Sequence, residues 1–200
     1  MKELIHEVQT LVERVGTHPI WGYSHCLRVY ALAEELAAAE GVEYDAEILL
    51  LASLLHDVGL YKAYNMREGL DHARRSMGVA ERTLRYAEYP PQATRVVLEA
   101  IEHHPPGAPR GVSIESALLK DAVALDYLGA IGLARVFAMV GLEDDVPDLP
   151  AAVDHAQRLH ENLPPAMILQ ASHDLASGRV AEFEASLEAL ASSTGKLRLL

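Results

Sequence analysis

The sequence predicts an all-α protein, a single helical bundle of about seven to nine helices. Three observations predict it. Ala, Leu and Glu dominate, and runs of β-branched residues are scarce. Apolar residues recur at three- and four-residue spacing along most of the chain. Gly and Pro fall mostly between those periodic segments. Two hundred residues, half of them hydrophobic, suffice for one good-sized core.

The elements follow in order. Leu4, Ile5, Val8, Leu11, Val12 and Val15 form one stripe of a first helix, which Gly16 and Thr17-His18-Pro19 end. A second helix covers about 22–40, with Leu27, Tyr30, Ala33 and Leu36 available to pack and Gly41 as its stop. Asp45 reads as the N-cap of DAEILLLASLLHDVGL. That helix is apolar on nearly every side from Ile48 to Leu55, the pattern of a buried central helix. The stretch LYKAYNMREG is a loop, and another helix covers 71–86. Pro90-Pro91 opens the next, through VVLEAIEHH, and Pro105-Pro106-Gly107 stops it. Ser113 caps a long segment that runs to Gly141. The acidic stretch GLEDDVPDLP reads as a surface loop rather than a domain joint. Two further helices within 150–195, broken at Pro164-Pro165, pack on the rest of one domain spanning 1–200.

Composition bounds the function. Seventeen basic against 29 acidic residues give a net charge of −12, which argues against contact with a nucleic-acid backbone. No uncharged apolar stretch approaches the roughly 18 residues of a membrane span. The opening MKELIHEVQTLVERV is charged throughout and does not read as a signal peptide. One cysteine, Cys26, excludes an intramolecular disulfide and suits a reducing compartment. The expectation is a cytoplasmic monomer or homodimer with no nucleic-acid or membrane partner. No Gly-rich phosphate loop, CxxC, HExxH or GxSxG element occurs.

The histidines point to a metal. Of ten, His25, His56, His72, His103 and His104 fall on predicted helices or at their ends. The pair His56-Asp57 terminates the most apolar helix, where a carboxylate is costly to bury alone. A divalent cation is a fitting partner, because imidazole and carboxylate together suit Mn, Fe, Zn or Ni. Adjacent helical residues diverge by ~100°, so both reach one ion only near the helix end, and other helices must complete the shell.

The order His25, then His56-Asp57-Val58-Gly59, then an AVALD run resembles the HD superfamily of metal-dependent phosphohydrolases. WGYSHCLRVYALAEELA is similar to its first-motif helix, and SIESALLKDAVALDYLGAIGLARVF to the last-motif helix of a small bacterial subgroup. The similar region covers 17–140, and the tail resembles that subgroup's C-terminal helices. The resemblance implies an all-helical fold and a divalent ion, Mn, Fe, Mg, Ni or Zn, held by His25, His56, Asp57 and a later Asp. It implies hydrolysis of a small phosphorylated substrate, a nucleotide or another phosphate ester or anhydride, by a metal-activated water.

Two positions depart from the family pattern: Leu60 follows the doublet's glycine where many members carry a Lys, with Lys62 two residues later, and the second concerns the metal. Val123 stands where the later metal Asp belongs. On a continued helix Asp126 lies ~60° around from it and Asp121 ~160°, so Asp126 is the better placed substitute; a water in its stead and a weakened or lost site are the other two outcomes. The resemblance further implies His72, His104 and, after them, His103 as ligands of a second ion. Asp57, His104 and Lys62 take catalytic roles, and Arg28, Lys62, Arg75 and Lys120 contact phosphate, with Arg82 and Arg135 as further cations. Tyr23, Tyr61, Tyr64, Tyr86 and Tyr127 are candidates for a wall against a base. Two other readings stand beside the hydrolase. A degenerate HD domain would bind a phosphorylated ligand without turnover, as Val123 suggests. A di-iron oxygenase would need His72 and His104 as true ligands.

Overall fold

The computed structural model describes residues 2–64, 71–198 and 200. Part of the expected loop LYKAYNMREG, residues 65–69, lies outside them. Among the described residues there are nine α-helices and no strand. They are α1 (Lys2–Val15), α2 (Tyr23–Glu40), α3 (Ala46–Leu55), α4 (His72–Tyr86), α5 (Pro91–His103), α6 (Ile114–Leu125), α7 (Gly129–Phe137), α8 (Leu149–Ala166) and α9 (Gln170–Ser193). None of these helices is long and apolar enough to cross a membrane. The chain divides into two compact units, Met1–Val123 and Ala124–Leu200. The division falls inside α6 rather than in the acidic stretch 141–150.

In the first unit α3 is the centre, as its all-round apolar surface predicts. It packs against α1, α2, α4 and α5. Leu49, Leu51, Leu54 and Leu55 are fully buried, each stabilising the fold by roughly 1.5–3 kcal/mol. Asp45 starts the helix: its Oδ1 accepts the N–H groups of Glu47 at 3.0 Å and Ile48 at 3.1 Å. Glu115 of α6 accepts the N–H of Asp45 at 2.8 Å and ties the two helix starts together. The chain leaves α3 through His56 and Asp57 into a 3-10 turn, Val58–Leu60.

That turn is pinned by α4. Ser76 Oγ accepts the Gly59 N–H at 2.9 Å, and Arg75 Nε donates to the Gly59 carbonyl at 2.9 Å. A Cβ on Gly59 would lie 2.6 Å from the His72 carbonyl oxygen and 2.7 Å from both Arg75 Cβ and Ser76 N. Only glycine lets the two backbones approach so closely.

In the second unit the long segment after Ser113 is broken. α6 ends at Leu125, the N–H groups of Tyr127 and Leu128 turn back onto Ala124 and Leu125, and α7 begins at Gly129 with φ +69°. Asp126 therefore sits in a turn. Its carboxylate pairs with Arg135 at 2.9 Å, both groups buried, and Arg135 also donates to the Asp126 carbonyl at 3.0 Å. The Arg135 guanidinium lies 3.9 Å over the Tyr127 ring. Pro164-Pro165 fall in the last turn of α8, so the predicted break before the final helix is met.

His160 of α8 is buried against Phe183 of α9, the rings stacked 3.7 Å apart. Its Nε2 accepts the Gly129 N–H at 2.9 Å, so the proton sits on Nδ1, which donates to Ala156 O at 2.7 Å. Burial pushes the His160 pKa below its ordinary 6.5, and the bond to Ala156 only partly opposes this. Below pH 6.5 the unfolded chain binds a proton that the folded chain refuses, so stability falls as pH drops. Melting followed by circular dichroism should show the midpoint falling between about pH 7 and pH 5.5. His160→Gln, which keeps a donor and an acceptor without titrating, should melt lower at pH 7 with a shallower fall. An equally steep fall in the variant would assign the effect to other groups.

Candidate metal centre

Two helices of the first unit end in the same way. His56 is the C-cap of α3 and His104 the C-cap of α5. Each ring bonds through Nδ1 to the carbonyl three residues back, Ser53 at 2.8 Å and Ile101 at 2.6 Å. A helix end leaves its last carbonyls without intrahelical partners. Here one of them orients an imidazole and fixes its proton on Nδ1, leaving a lone pair on Nε2.

Each oriented Nε2 meets a second one. His56 Nε2 lies 3.2 Å from Nε2 of His25, in the first turn of α2. His104 Nε2 lies 3.2 Å from Nε2 of His72, the first residue of α4. Asp57 stands between the pairs. Its Oδ2 is 3.4 Å from His25 and 3.3 Å from His56, and its Oδ1 is 3.5 Å from His104 and 3.8 Å from His72. Two three-donor groups therefore share one carboxylate: His25, His56 and Asp57, and Asp57, His72 and His104. All are buried except His72, whose side chain is 32% exposed.

The donor set fits a divalent cation. The Nε2 lone pairs of His56 and His104 and the Asp57 carboxylate are electron-pair donors that a cation between them can accept. Ligand atoms placed tetrahedrally about 2.0–2.2 Å from an ion are roughly 3.3–3.6 Å apart. The inner group, at 3.2–3.4 Å, falls close to this spacing, and His72 is the loosest donor. Burial alone would push the Asp57 pKa up. The imidazoles of His56, His104 and His25 around it outweigh this and hold the carboxyl well below the usual range. Burial pushes His104 down to about 4 against the pull of Asp57, and lowers His72 as well. An ionised Asp57 with neutral His72 and His104 is the protonation state that metal ligands need.

The remaining candidates are placed differently. Asp126 is committed to Arg135, so the ~60° offset of a continued helix is not realised. Val123 and Asp121 are buried on α6, and neither joins a donor group. His103 is 4.0 Å from Glu102 and belongs to neither group; with His72 it borders a cavity of about 330 Å³. Lys62 is exposed beside Thr17 and His18 on a second cavity, of about 270 Å³. Arg28 is half-buried one turn after His25, and Arg82 is exposed.

Lys120 is engaged with the backbone. Its ammonium is surrounded by four backbone carbonyls, those of His103 at 3.3 Å, Pro105 at 2.6 Å, Pro106 at 3.1 Å and Ala108 at 2.8 Å. Arg75 spends its Nε on Gly59, and Arg135 is buried on Asp126. Of the tyrosines, Tyr61 is buried with its hydroxyl 3.5 Å from Cys26 Sγ, Tyr127 lies under Arg135, and Tyr86 is fully open to solvent. Sequence reasoning missed the Ser76–Gly59 bond and Glu99 of α5, which accepts the N–H groups of Val112 and Ser113. The clustering of Pro and Gly in 105–111 was the available sign that this loop needs outside partners.

The chain belongs to the HD domain family, whose model matches residues 22–129 and so covers every donor of both groups. Its fold is that of the HD-superfamily hydrolases. It is similar to an HD-superfamily hydrolase from Bacillus thuringiensis, 26% identical, with a TM-score of 0.70 over 96% of this chain and 97% of that one. A protein from Lactobacillus plantarum is 22% identical, with a TM-score of 0.73 and coverage of 96% and 97%. YpgQ of Bacillus subtilis in complex with ADP is 22% identical, with a TM-score of 0.69 and coverage of 94% and 97%. No curated protein matches the chain.

The packing around Gly59 sets a test of the site's framework. Gly59→Ala should lower stability by about 1–3 kcal/mol in urea titration, as overpacking does. It should also weaken metal retention, because Asp57 and His72 flank the displaced backbone. Unchanged stability would mean that the approach of α4 to the turn is not tight.

Proposed function

We propose that this chain is a metal-dependent phosphohydrolase acting on a small phosphate ester or anhydride, with a nucleotide as the substrate class. One observation carries the reading: each oxygen of Asp57 faces its own pair of imidazoles, an arrangement suited to one ion on each side. The ADP found with YpgQ supports the nucleotide as ligand. A bound divalent ion supplies an acidified water and neutralises charge on a phosphoryl oxygen.

The chain's own groups divide the remaining work. His25, His56 and Asp57 form the inner holding group; His72 and His104 form the outer one with the same carboxylate. Asp57, held strongly ionised, anchors and orients and is a poor proton acceptor. His104, a catalytic candidate from the sequence, is enclosed and held neutral, so it acts as an oriented ligand donor. His72 is the imidazole with access to solvent, so the outer group is the one that water reaches. Lys62, five residues after Asp57 and exposed, supplies positive charge to the phosphate.

The test combines elemental analysis with a nucleotide hydrolysis panel. Metal-loaded protein should release phosphate or pyrophosphate, and a chelator should abolish this. Asp57→Asn should lower kcat by roughly 100-fold or more and reduce metal content, while Lys62→Ala should mainly raise KM. Ligand binding without turnover by fully loaded protein would favour a binding module, the reading that Val123 supports. Oxygen consumption by the iron-loaded protein would favour oxidation at paired iron, which the convergence of His72 and His104 supports.

Val123→Asp gives a second test. A carboxylate buried there without a cation is costly, so the metal-free variant should melt below wild type. Added Mn²⁺ should then raise its melting temperature by more than it raises that of wild type. Equal shifts would show that position 123 does not reach the ion.

A further inference from the structure

We infer that Lys120 is a positioning residue for the outer half of the metal centre: its buried ammonium gathers the backbone on both sides of His104 and so fixes where that imidazole points. The inference rests on the proposed role of His72 and His104 in holding a second ion.

The need for such a group follows from the chain. α5 ends at His103, and its final carbonyls lack helical partners. Pro105 and Pro106 follow, with no N–H to continue the ladder. His104 thus sits where the helix has ended and the next two residues cannot restore it. The carbonyls of His103, Pro105, Pro106 and Ala108 turn toward one point, where their negative ends would repel without a cation. Lys120 Nζ lies there, within 3.3 Å of all four. Two of the four flank His104 directly. The Lys120 side chain reaches them from α6 and is nearly fully buried.

The effect extends to the cavity of about 330 Å³, because His103, Pro105 and Ala108 border it together with His72. At the far end of the same loop, the Glu99 carboxylate accepts the N–H groups of Val112 and Ser113. The loop between α5 and α6 is therefore bound by a cation at its carbonyls and an anion at its amides. Its charge alone made it a phosphate candidate. With three protons shared among four carbonyls, it has no donor left for a substrate.

The experiment compares wild type, Lys120→Ala and Lys120→Gln, the last keeping a neutral donor should the alanine variant fail to fold. Imidazole ¹⁵N–¹H spectra of the metal-free proteins report ring tautomers. Mn²⁺ titration with electron paramagnetic resonance reports each equivalent separately. In both variants the His104 signals should shift or broaden while those of His25 and His56 stay in place. The second Mn²⁺ equivalent should weaken by roughly 10–100-fold, as loss of an orienting group does, and the first should stay within about twofold. In Lys120→Ala, n-propylammonium should restore the second equivalent, and propan-1-ol should not. Unmoved His104 signals in a folded variant would overturn the inference. So would equal weakening of both equivalents with no advantage of the ammonium over the alcohol. If wild type itself takes up one equivalent only, the two-ion reading fails, and the His104 signals alone decide the role of Lys120.

Discussion

The Asp57 carboxylate is an anion enclosed by protein, and four imidazoles are arranged around it. An uncompensated carboxylate in such a place costs several kcal/mol. The first unit is organised so that it is compensated. α3 carries Asp57 to the interior because its own surface is apolar on every side. The turn after Asp57 holds its shape because α4 grips Gly59 through Ser76 and Arg75. The same helix presents His72 at its first position, and α2 presents His25 in its first turn. Loosening any of these contacts leaves charge inside the protein with fewer partners.

The two C-capping histidines show how little machinery this requires. A helix end already carries carbonyls in want of a donor. Placing an imidazole directly after the helix lets that carbonyl fix both ring and tautomer, with no additional residue. α3 and α5 use the device alike, so the directions of two Nε2 lone pairs follow from where two helices stop. A shift of one residue in either helix end would aim the ring elsewhere.

Much of this was legible in the sequence, for identifiable reasons. The central place of α3 follows from its lack of a polar face, and His56-Asp57 at its end marked the site. His25 came from the resemblance of its helix to a family motif. His72 and His104 could be named, but their meeting depends on how α4 and α5 approach, which local periodicity does not record. Asp126 was misjudged because a helical wheel assumes a continuing helix, and α6 stops at Leu125. Its true partner, Arg135, lies nine residues on, across a turn. The carbonyl cage of Lys120 could not be foreseen, because a lysine bound to carbonyls and a lysine bound to phosphate look the same in a string of letters. The neighbouring prolines held the clue, since they leave carbonyls that something else must satisfy.

The uneven exposure of the imidazoles gives the centre a direction. His25, His56 and His104 are sealed, while His72 alone among them keeps a face toward water. The head of α4 is thus the most solvent-accessible edge of the four-imidazole cluster, beside the loosest donor of the set. An ion held by the outer group would therefore sit nearer to water than one held by the inner group.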